Sequence, residues 1–300
     1  MPTSLRDIRR HMQSVQRIRK VTRAMEIVSM ARNRRLQTLL RQSQAFAEMS
    51  WRVISHLAQA STPAVREHPV YAGYGTHDSL GIVLFTSDGG MVGSYNHDML
   101  RYLDRYLDQQ HQRSQHYAAN VITIGKSGRD HIVGSDSSPS ATLHADIPTP
   151  SPSQGIEAFS PVAKLLLDGY ASGTFDHLAI AYAQARSGAL LRPSIRTLLP
   201  LGDLATDEPD APPIDYIYEP EPDELIRSLL PRVIRFQLFE AHLQAQVAEN
   251  TARSMAMRSA TQNGRELIQE LEMTYNKARQ ETITSELVDL MAGLGQTSQT

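Results

Sequence analysis

From Ile8 to Leu57 a heptad frame can be written without a skip, in a stretch with no glycine and no proline. One row is Ile8, Val15, Thr22, Ser29, Leu36, Ser43, Ser50 and Leu57. The other is His11, Ile18, Met25, Arg32, Leu39, Phe46 and Val53. Ala, Leu, Arg, Gln and Met dominate, all strong helix formers. About fifty helical residues would span roughly 75 Å, whereas helices inside globular domains rarely exceed about 20–25 residues. Such a helix needs a partner along its length. The other end of the chain offers one. Pro222–Met291 has no proline after Pro231 and one glycine, Gly264, with apolar residues at three- and four-residue steps: Leu225, Leu229, Phe236, Phe239, Leu243, Leu267 and Leu271. That period is close to the 3.5 of a coiled coil, and seventy such residues would reach roughly 100 Å. The two ends are expected to form an imperfect coiled coil, loosened by the serines of the first row. The competing arrangement, two separate amphipathic helices packed on a core, fits this unbroken length less well.

Between the helices the pattern changes. Residues 61–79 carry prolines, turn residues and no period, and read as a linker. Leu80–Thr86 is a buried strand by its continuous apolar, β-branched run, followed by a glycine-rich turn and a helix over Asn96–Gln110. Asn120–Gly125 reads as a second buried strand, Ser135–Gln154 as a long loop, Ile156–Tyr170 as a helix, and His177–Ala183 and Ser194–Leu201 as strands. An acidic, breaker-rich loop (DLATDEPDAPPID) and a short strand at Tyr216–Tyr218 complete the segment. Alternating strands and helices predict an α/β domain with parallel pairing. The expected division is residues 1–60 as the N-terminal coiled-coil helix, 61–221 as the inserted domain and 222–300 as the C-terminal coiled-coil helix.

Charge and composition remove several functions. There is no cysteine, so disulfides, thiolate metal sites and thiol switches are excluded. The longest apolar run, LGIVLF, is strand-sized. The N-terminal arginines lack the apolar core of a signal peptide, and no leader is expected. Net charge is −2 but segregated: residues 1–60 hold twelve Lys/Arg against three Asp/Glu, and residues 61–222 hold ten against nineteen. The basic helix asks for an acidic protein surface or a phosphate surface. Nucleic acid is the weaker choice, because a seam position is spent on Arg32 and no aromatic residues interleave the arginines.

Catalytic signals are fragmentary. Gly89, Gly90 and Gly93 form a turn without the GxGxxG spacing, and Gly125-Lys126-Ser127 resembles only the end of a phosphate loop, with Asn120 where its first glycine belongs. Tight turns explain these glycines. The eleven histidines show no metal-ligand spacing, and Ser87-Asp88 has no histidine directed at it. No catalytic residue, cofactor site or metal site is expected.

Several long segments carry a specific resemblance. RIRKVTRAMEIVSMARNRRLQ (Arg17–Gln37), TSDGGMVGSYN (Thr86–Asn96), AENTARSMAMRSATQN (Ala248–Asn263) and TYNKARQETITSEL (Thr274–Leu287) are similar, in that order, to the gamma-subunit family of F-type ATP synthases. The resemblance implies a bent antiparallel coiled coil of the two terminal helices with an inserted Rossmann-like α/β domain. It implies a non-catalytic rotor shaft inside the hexamer of alpha and beta subunits. The inserted domain would sit with epsilon on the membrane ring of c subunits, in a complex that also holds delta, a and b. It places the chain in the F1 sector, peripheral on the cytoplasmic face of a bacterial plasma membrane, with neither membrane insertion nor nucleic acid among its contacts. Carried over position by position, Met25 faces acidic loops of beta, with Arg34 and Arg35 on the same basic helix. Arg253, Gln280, Thr284 and Glu286 make polar contacts with beta subunits nearer the tip. Glu249, four residues before Arg253, offers that arginine a local partner instead.

The chain also departs from the family pattern. Arg17, Ile18 and Arg19 stand where Asn, Thr and Gln are usual, Val92 lies where a cysteine is common, and Asn250 and Ser254 replace a His and a Met. The cysteine-bearing insert of photosynthetic versions is absent. These departures point toward a divergent or alternate ATPase coupled to protons or sodium. An adaptor class remains open beside the shaft: a non-catalytic coiled coil whose α/β head binds acidic proteins.

Overall fold

The computed structural model describes residues 5–60, 69–74, 78–114, 116–134, 141–186, 190–201, 219 and 222–297. The chain divides into two compact units, Met1–Ser29 with Arg253–Thr300, and Met30–Ala252. Two helices contribute to both: α1 (Leu5–Ala60) and α6 (Pro222–Thr297).

Within the larger unit, the remaining elements are α2 (Pro69–Ala72), β1 (Ser79–Phe85), α3 (Tyr95–Arg113), β2 (Ala118–Ile124), α4 (Lys126–Val133), β3 (Ala141–Ile147), α5 (Ser160–Ala171), β4 (His177–Arg186) and β5 (Leu190–Leu199). The strands form one sheet in the order β3-β2-β1-β4-β5, parallel except for β5. This is the order of a doubly wound, Rossmann-like sheet. β1 lies at its centre, with Ile82 opposite Val121 of β2 and Ala179 of β4. Its run from Leu80 to Phe85 is buried on both faces, the reason it reads as continuously apolar.

Each face is covered by helices. Met99, Leu103 and Leu107 of α3 pack on Leu80, Ile82, Leu84 and Val121. The opposite face holds Val162 and Leu166 of α5, and Ile234, Leu238 and Ala241 of α6, against Val83, Phe85, Ile122 and Ile180. Burial at roughly 1.5–3 kcal/mol per large apolar side chain holds these layers together. Arg196 of β5 adds a polar tie, 3.3 Å from the buried Glu240 of α6 and 5.4 Å from the Tyr182 ring centroid.

Several local expectations change. The expected loop Ser135–Gln154 contains β3, and the two 3-10 turns Pro152–Gln154 and Ile156–Phe159 follow it. β3 alternates strictly, with Ala141, Leu143, Ala145 and Ile147 half-buried and Thr142, His144 and Asp146 exposed, a signal overshadowed by the Ser- and Pro-rich residues on either side of it. α4 is missing from the expected elements because eight residues are too few to show a helical period. The helix expected over Ile156–Tyr170 begins as a 3-10 turn and becomes α5 at Ser160, with Pro161 in its first turn. In the expected linker, α2 buries Val70 and Tyr71. β5 starts four residues before Ser194 and stops before the cis Leu199–Pro200 bond. The acidic loop and Tyr216–Tyr218 lie outside the described residues.

The heptad frame is half right. Ile8, Val15, Thr22, Ser29, Leu36 and Ser43 are all buried. The second buried or half-buried row is Met12, Arg19, Glu26, Asn33 and Leu40, not His11, Ile18, Met25, Arg32 and Leu39. His11, Ile18 and Arg32 are exposed, and Met25 and Leu39 half-buried. The steps therefore run four-then-three from each first-row residue. Arg19, Glu26 and Asn33 fill the middle of the true second row, so apolarity alone pointed to the wrong neighbour.

Candidate partner interface

In the smaller unit α1 and α6 run antiparallel. Val15 and Arg19 lie against Gly264, and Thr22 lies further along α1 against Thr261, a residue earlier in α6. The two threonine hydroxyls are 2.8 Å apart. Glu26 is buried and takes a 2.8 Å bond from Arg23, one turn before it on α1. In the larger unit the pairing has the same sense: Asn33 Nδ2 donates to Thr251 Oγ1 at 2.8 Å, and Leu36 packs with Leu243 and Val247. Hydroxyl, amide and carboxylate groups thus occupy much of the seam. Direct hydrogen bonds partly compensate the cost of burying them.

The outer surface of this helix pair is unusually apolar for exposed helix. On α1, Ile18, Val21 and Val28 are each more than half exposed, and the half-buried Met25 falls in the same three-four series. Arg17, Lys20 and Arg23 flank them. On α6, residues 279–288 are all exposed, Ile283, Leu287 and Val288 among them. Scattered exposed apolar residues are ordinary, whereas a contiguous stripe rimmed by charge marks a surface that meets protein.

The sequence-derived contact residues fall on these two helices. Met25 is half-buried on α1 of the smaller unit, and Arg34 and Arg35 are exposed on α1 of the larger. Arg253 is half-buried, and Gln280, Thr284 and Glu286 are exposed on α6. Thr284 Oγ1 donates back to the Gln280 carbonyl at 2.8 Å. The heptad reading missed the apolar stripe of α1 because it assigned Ile18 and Met25 to the seam. The spacing of Ile18, Val21, Met25 and Val28 was the available signal.

The other candidate region, at the carboxyl ends of β1 and β2, is filled by the chain's own groups. Lys126 N–H donates to Asp88 Oδ1 at 3.1 Å, Ser127 N–H to the Ser87 carbonyl at 3.2 Å, and Gly128 N–H to Thr86 Oγ1 at 2.9 Å. Asn96 Nδ2 bonds both Ser87 Oγ and Ser127 Oγ. The start of α4 thus already has acceptors, one of them a carboxylate, where a phosphate would need open donors. Gly125 is required here, since its φ is +120° and a Cβ would strike the Thr86 backbone. Among the described residues no group of three or more His, Asp or Glu could hold a metal ion. No helix of the described residues is long and apolar enough to cross a membrane.

One titratable group stands apart in the core. His242 of α6 is buried with its ring 5.3 Å from Phe159 and 5.8 Å from Phe85. Its Nδ1–H donates to the Pro150 carbonyl, while Nε2 has no hydrogen-bond partner among the described residues. Loss of water around the ring pushes its pKa down to about 4, against a smaller upward pull from Pro150.

Known proteins share this whole arrangement. The chain is 33% identical over 295 residues to the ATP synthase gamma chain of Chloroflexus aurantiacus, covering 98% of each. It is 34% identical over 295 residues to that of Herpetosiphon aurantiacus, covering 97% of each. The family model described as ATP synthase matches residues 4–295. The chain belongs to the ATP synthase gamma-chain family. Solved structures share its fold at low identity. One is the rotor of the Euglena gracilis mitochondrial ATP synthase, with TM-score 0.62 and 18% identity over 93% of this chain and 98% of that one. Another comes from the Tetrahymena thermophila central stalk and c-ring structure, with TM-score 0.58 and 19% identity over 80% of this chain and 99% of that one. Membership accounts for the helix pair, the inserted sheet and the closed glycine turn together, since a gamma chain is a non-catalytic subunit.

Proposed function

We propose that this chain is the central rotor shaft of an F-type ATP synthase. It couples proton or sodium movement through the c-ring to ATP synthesis or hydrolysis at the alpha/beta hexamer by rotation, and it does not itself turn over ATP. The observation that carries the reading is the exposed helical end of α6. Residues 279–288 hold helical form with every side chain exposed, and such a segment is matched to a sleeve around it. The family supplies that sleeve as alpha and beta subunits.

The contacts follow from the family resemblance, with Arg34, Arg35, Gln280, Thr284 and Glu286 exposed and Met25 and Arg253 half-buried. Met25, Arg34 and Arg35 on α1, with Arg253, Gln280, Thr284 and Glu286 on α6, meet the hexamer. The residues 61–221 form the foot, with epsilon and the c-ring, and 1–60 and 222–300 form the shaft. The chain is peripheral, in the F1 sector on the cytoplasmic face of a bacterial plasma membrane. A bearing must hold its axis without locking at one angle. Exposed charge and small contacts suit that better than deep interdigitation, since exposed ion pairs contribute only about 0–1 kcal/mol each.

The test is co-expression of the tagged chain with alpha and beta subunits from the same host, read by intact-complex mass and ATPase assay. A single copy per alpha/beta hexamer, with activity depending on it, is the expected result. Recovery of the chain alone or with unrelated acidic proteins would overturn the reading. Truncation after Thr274 should lower assembly or torque and leave the sheet domain folded.

A further inference from the structure

An open groove runs between α5 and the first turns of α6, inside the larger unit, with a volume of about 450 Å3. Small-molecule sites commonly occupy roughly 300–1,000 Å3. None of its lining residues belongs to the contacts assigned to the hexamer. On α5 the lining is Ser160, Lys164, Leu167 and Asp168, with the buried Ala163. On α6 it is Ser228, Pro231, Arg232 and Arg235. Steps of three and four residues put each set on one face of its helix. Val162 and Leu166 of α5 turn the other way, into the sheet.

The charged groups of the groove are open to solvent. Lys164, Asp168 and Arg232 are exposed, and none of these side chains has a hydrogen bond or ion pair among the described residues. Arg235 is half-buried and held in place: its Nη1 donates to Glu157 Oε2 at 2.8 Å and to Ser160 Oγ at 3.1 Å. Its Nη2 has no partner among the described residues. Glu157 offsets this one cation. Both hydroxyl protons are already used, Ser160 Oγ donating to Glu157 Oε2 at 3.1 Å and Ser228 Oγ to the Leu225 carbonyl at 2.9 Å. Leu167 and Pro231 supply the apolar wall, and Ala163 is too buried to touch a ligand. Two uncompensated cations, one partly compensated guanidinium and one free carboxylate therefore line a single space.

That combination selects among anions. The cations call for an anion with several oxygens, and ammonium and guanidinium groups both suit phosphate. Asp168 works against any anion that can only accept hydrogen bonds, because an ionised carboxylate is itself acceptor-only. Inorganic phosphate escapes this conflict, since near neutral pH it still carries at least one proton to donate. Sulfate and the phosphodiester of a lipid headgroup carry none. We propose that this groove binds inorganic phosphate, its unprotonated oxygens on Lys164, Arg232 and Arg235 and its P–O–H donating to Asp168. In a rotor shaft such a site would sense a reactant of ATP synthesis; that consequence rests on the shaft reading, whereas the binding itself does not.

The experiment is titration of the full chain near neutral pH, at ionic strength held constant with chloride, followed by the amide NMR shifts of α5 and α6. The probes are inorganic phosphate, sulfate and dimethyl phosphate, the last standing in for a lipid headgroup. Saturable phosphate shifts confined to the two groove faces are expected, with a Kd below about 5 mM. Sulfate and dimethyl phosphate should bind at least about fivefold more weakly. Asp168→Asn should bring phosphate and sulfate to within about twofold of each other, because an amide donates as well as accepts. Arg232→Gln and Lys164→Gln should each weaken phosphate by about threefold or more. Arg105→Gln, an exposed site on α3 across the sheet, should change it by less than about twofold. All four substituted side chains are exposed, and the same amide spectra verify folding. The proposal is overturned by the absence of saturable phosphate shifts at the groove, by sulfate or dimethyl phosphate binding as tightly as phosphate, by a preference that Asp168→Asn leaves unchanged, or by Arg105→Gln weakening phosphate as much as Arg232→Gln does.

Discussion

Two stretches of α6 show opposite ways of being a helix. Residues 233–250, in the larger unit, are buried or half-buried on every side, with Ile234, Leu238, Ala241, Leu243 and Ala248 fully inside. Residues 279–288, in the smaller unit, are exposed on every side. The first is a core element whose stability comes from tertiary packing. The second relies on propensity and on local bonds such as Thr282 Oγ1 to the Ala278 carbonyl, which are weak supports for a helix alone in water. One continuous helix thus carries an anchored part and a part shaped for an external partner.

The largest test of this contrast is paired. Leu238→Ala should lower the unfolding free energy of the sheet domain by about 2–5 kcal/mol, because it opens a cavity in a packed layer. Leu287→Ala, at a site 57% exposed, should stay within about 0.5 kcal/mol. Urea unfolding of the full chain followed by amide exchange in β1 and α6 measures both. Equal effects would abolish the distinction between the two stretches.

The next effect belongs to the buried stretch alone and depends on pH. His242 has its folded pKa lowered to about 4, below an unfolded value of about 6.5. The unfolded chain therefore binds the proton first as pH falls. Stability from the neutral ring is fully present above about pH 6.5 and is lost as pH falls toward and through about 4, on the order of 3 kcal/mol in total. Carboxylates also titrate there, so the comparison is with His242→Phe, which keeps an aromatic ring and has no proton to gain. Chemical denaturation at several pH values should show a flatter acid decline for the variant. Parallel declines would mean the imidazole is reached by water or by a partner.

The same contrast explains what the sequence revealed. β1 and β2 were legible because central parallel strands are apolar on both faces, and the terminal helices because their length is unbroken. β3 and α4 were not, one because Ser- and Pro-rich flanks overshadowed its strict ATLHADI alternation, the other because it is two turns long. The seam failed for a different reason. Glu26 is buried and Asn33 half-buried there, while Ile18, Val21 and Val28 face outward, so hydropathy is inverted across this stretch of α1. Met25 and the exposed tip residues came from whole-motif resemblance rather than from pattern, since a single chain does not display its sleeve.

The smallest effect probes the helix pair of the smaller unit. Gly264 interrupts α6 with the most flexible residue, yet a Cβ there would lie 3.6 Å from Arg19 Cβ and 3.9 Å from Val15 Cγ1, ordinary contact distances. Its φ is not in the left-handed region. Alanine should therefore fit and stabilise the helix by about 0.5–1 kcal/mol through its lower conformational entropy in the unfolded chain. Amide exchange for the residues around 264 should slow by roughly two- to fivefold, with no change in β1. Slower exchange would mean that the two helices tolerate a methyl group between them and that the glycine adds flexibility to the shaft. Faster exchange would mean that α1 and α6 approach more closely at this point, and that the glycine is there to let their backbones meet.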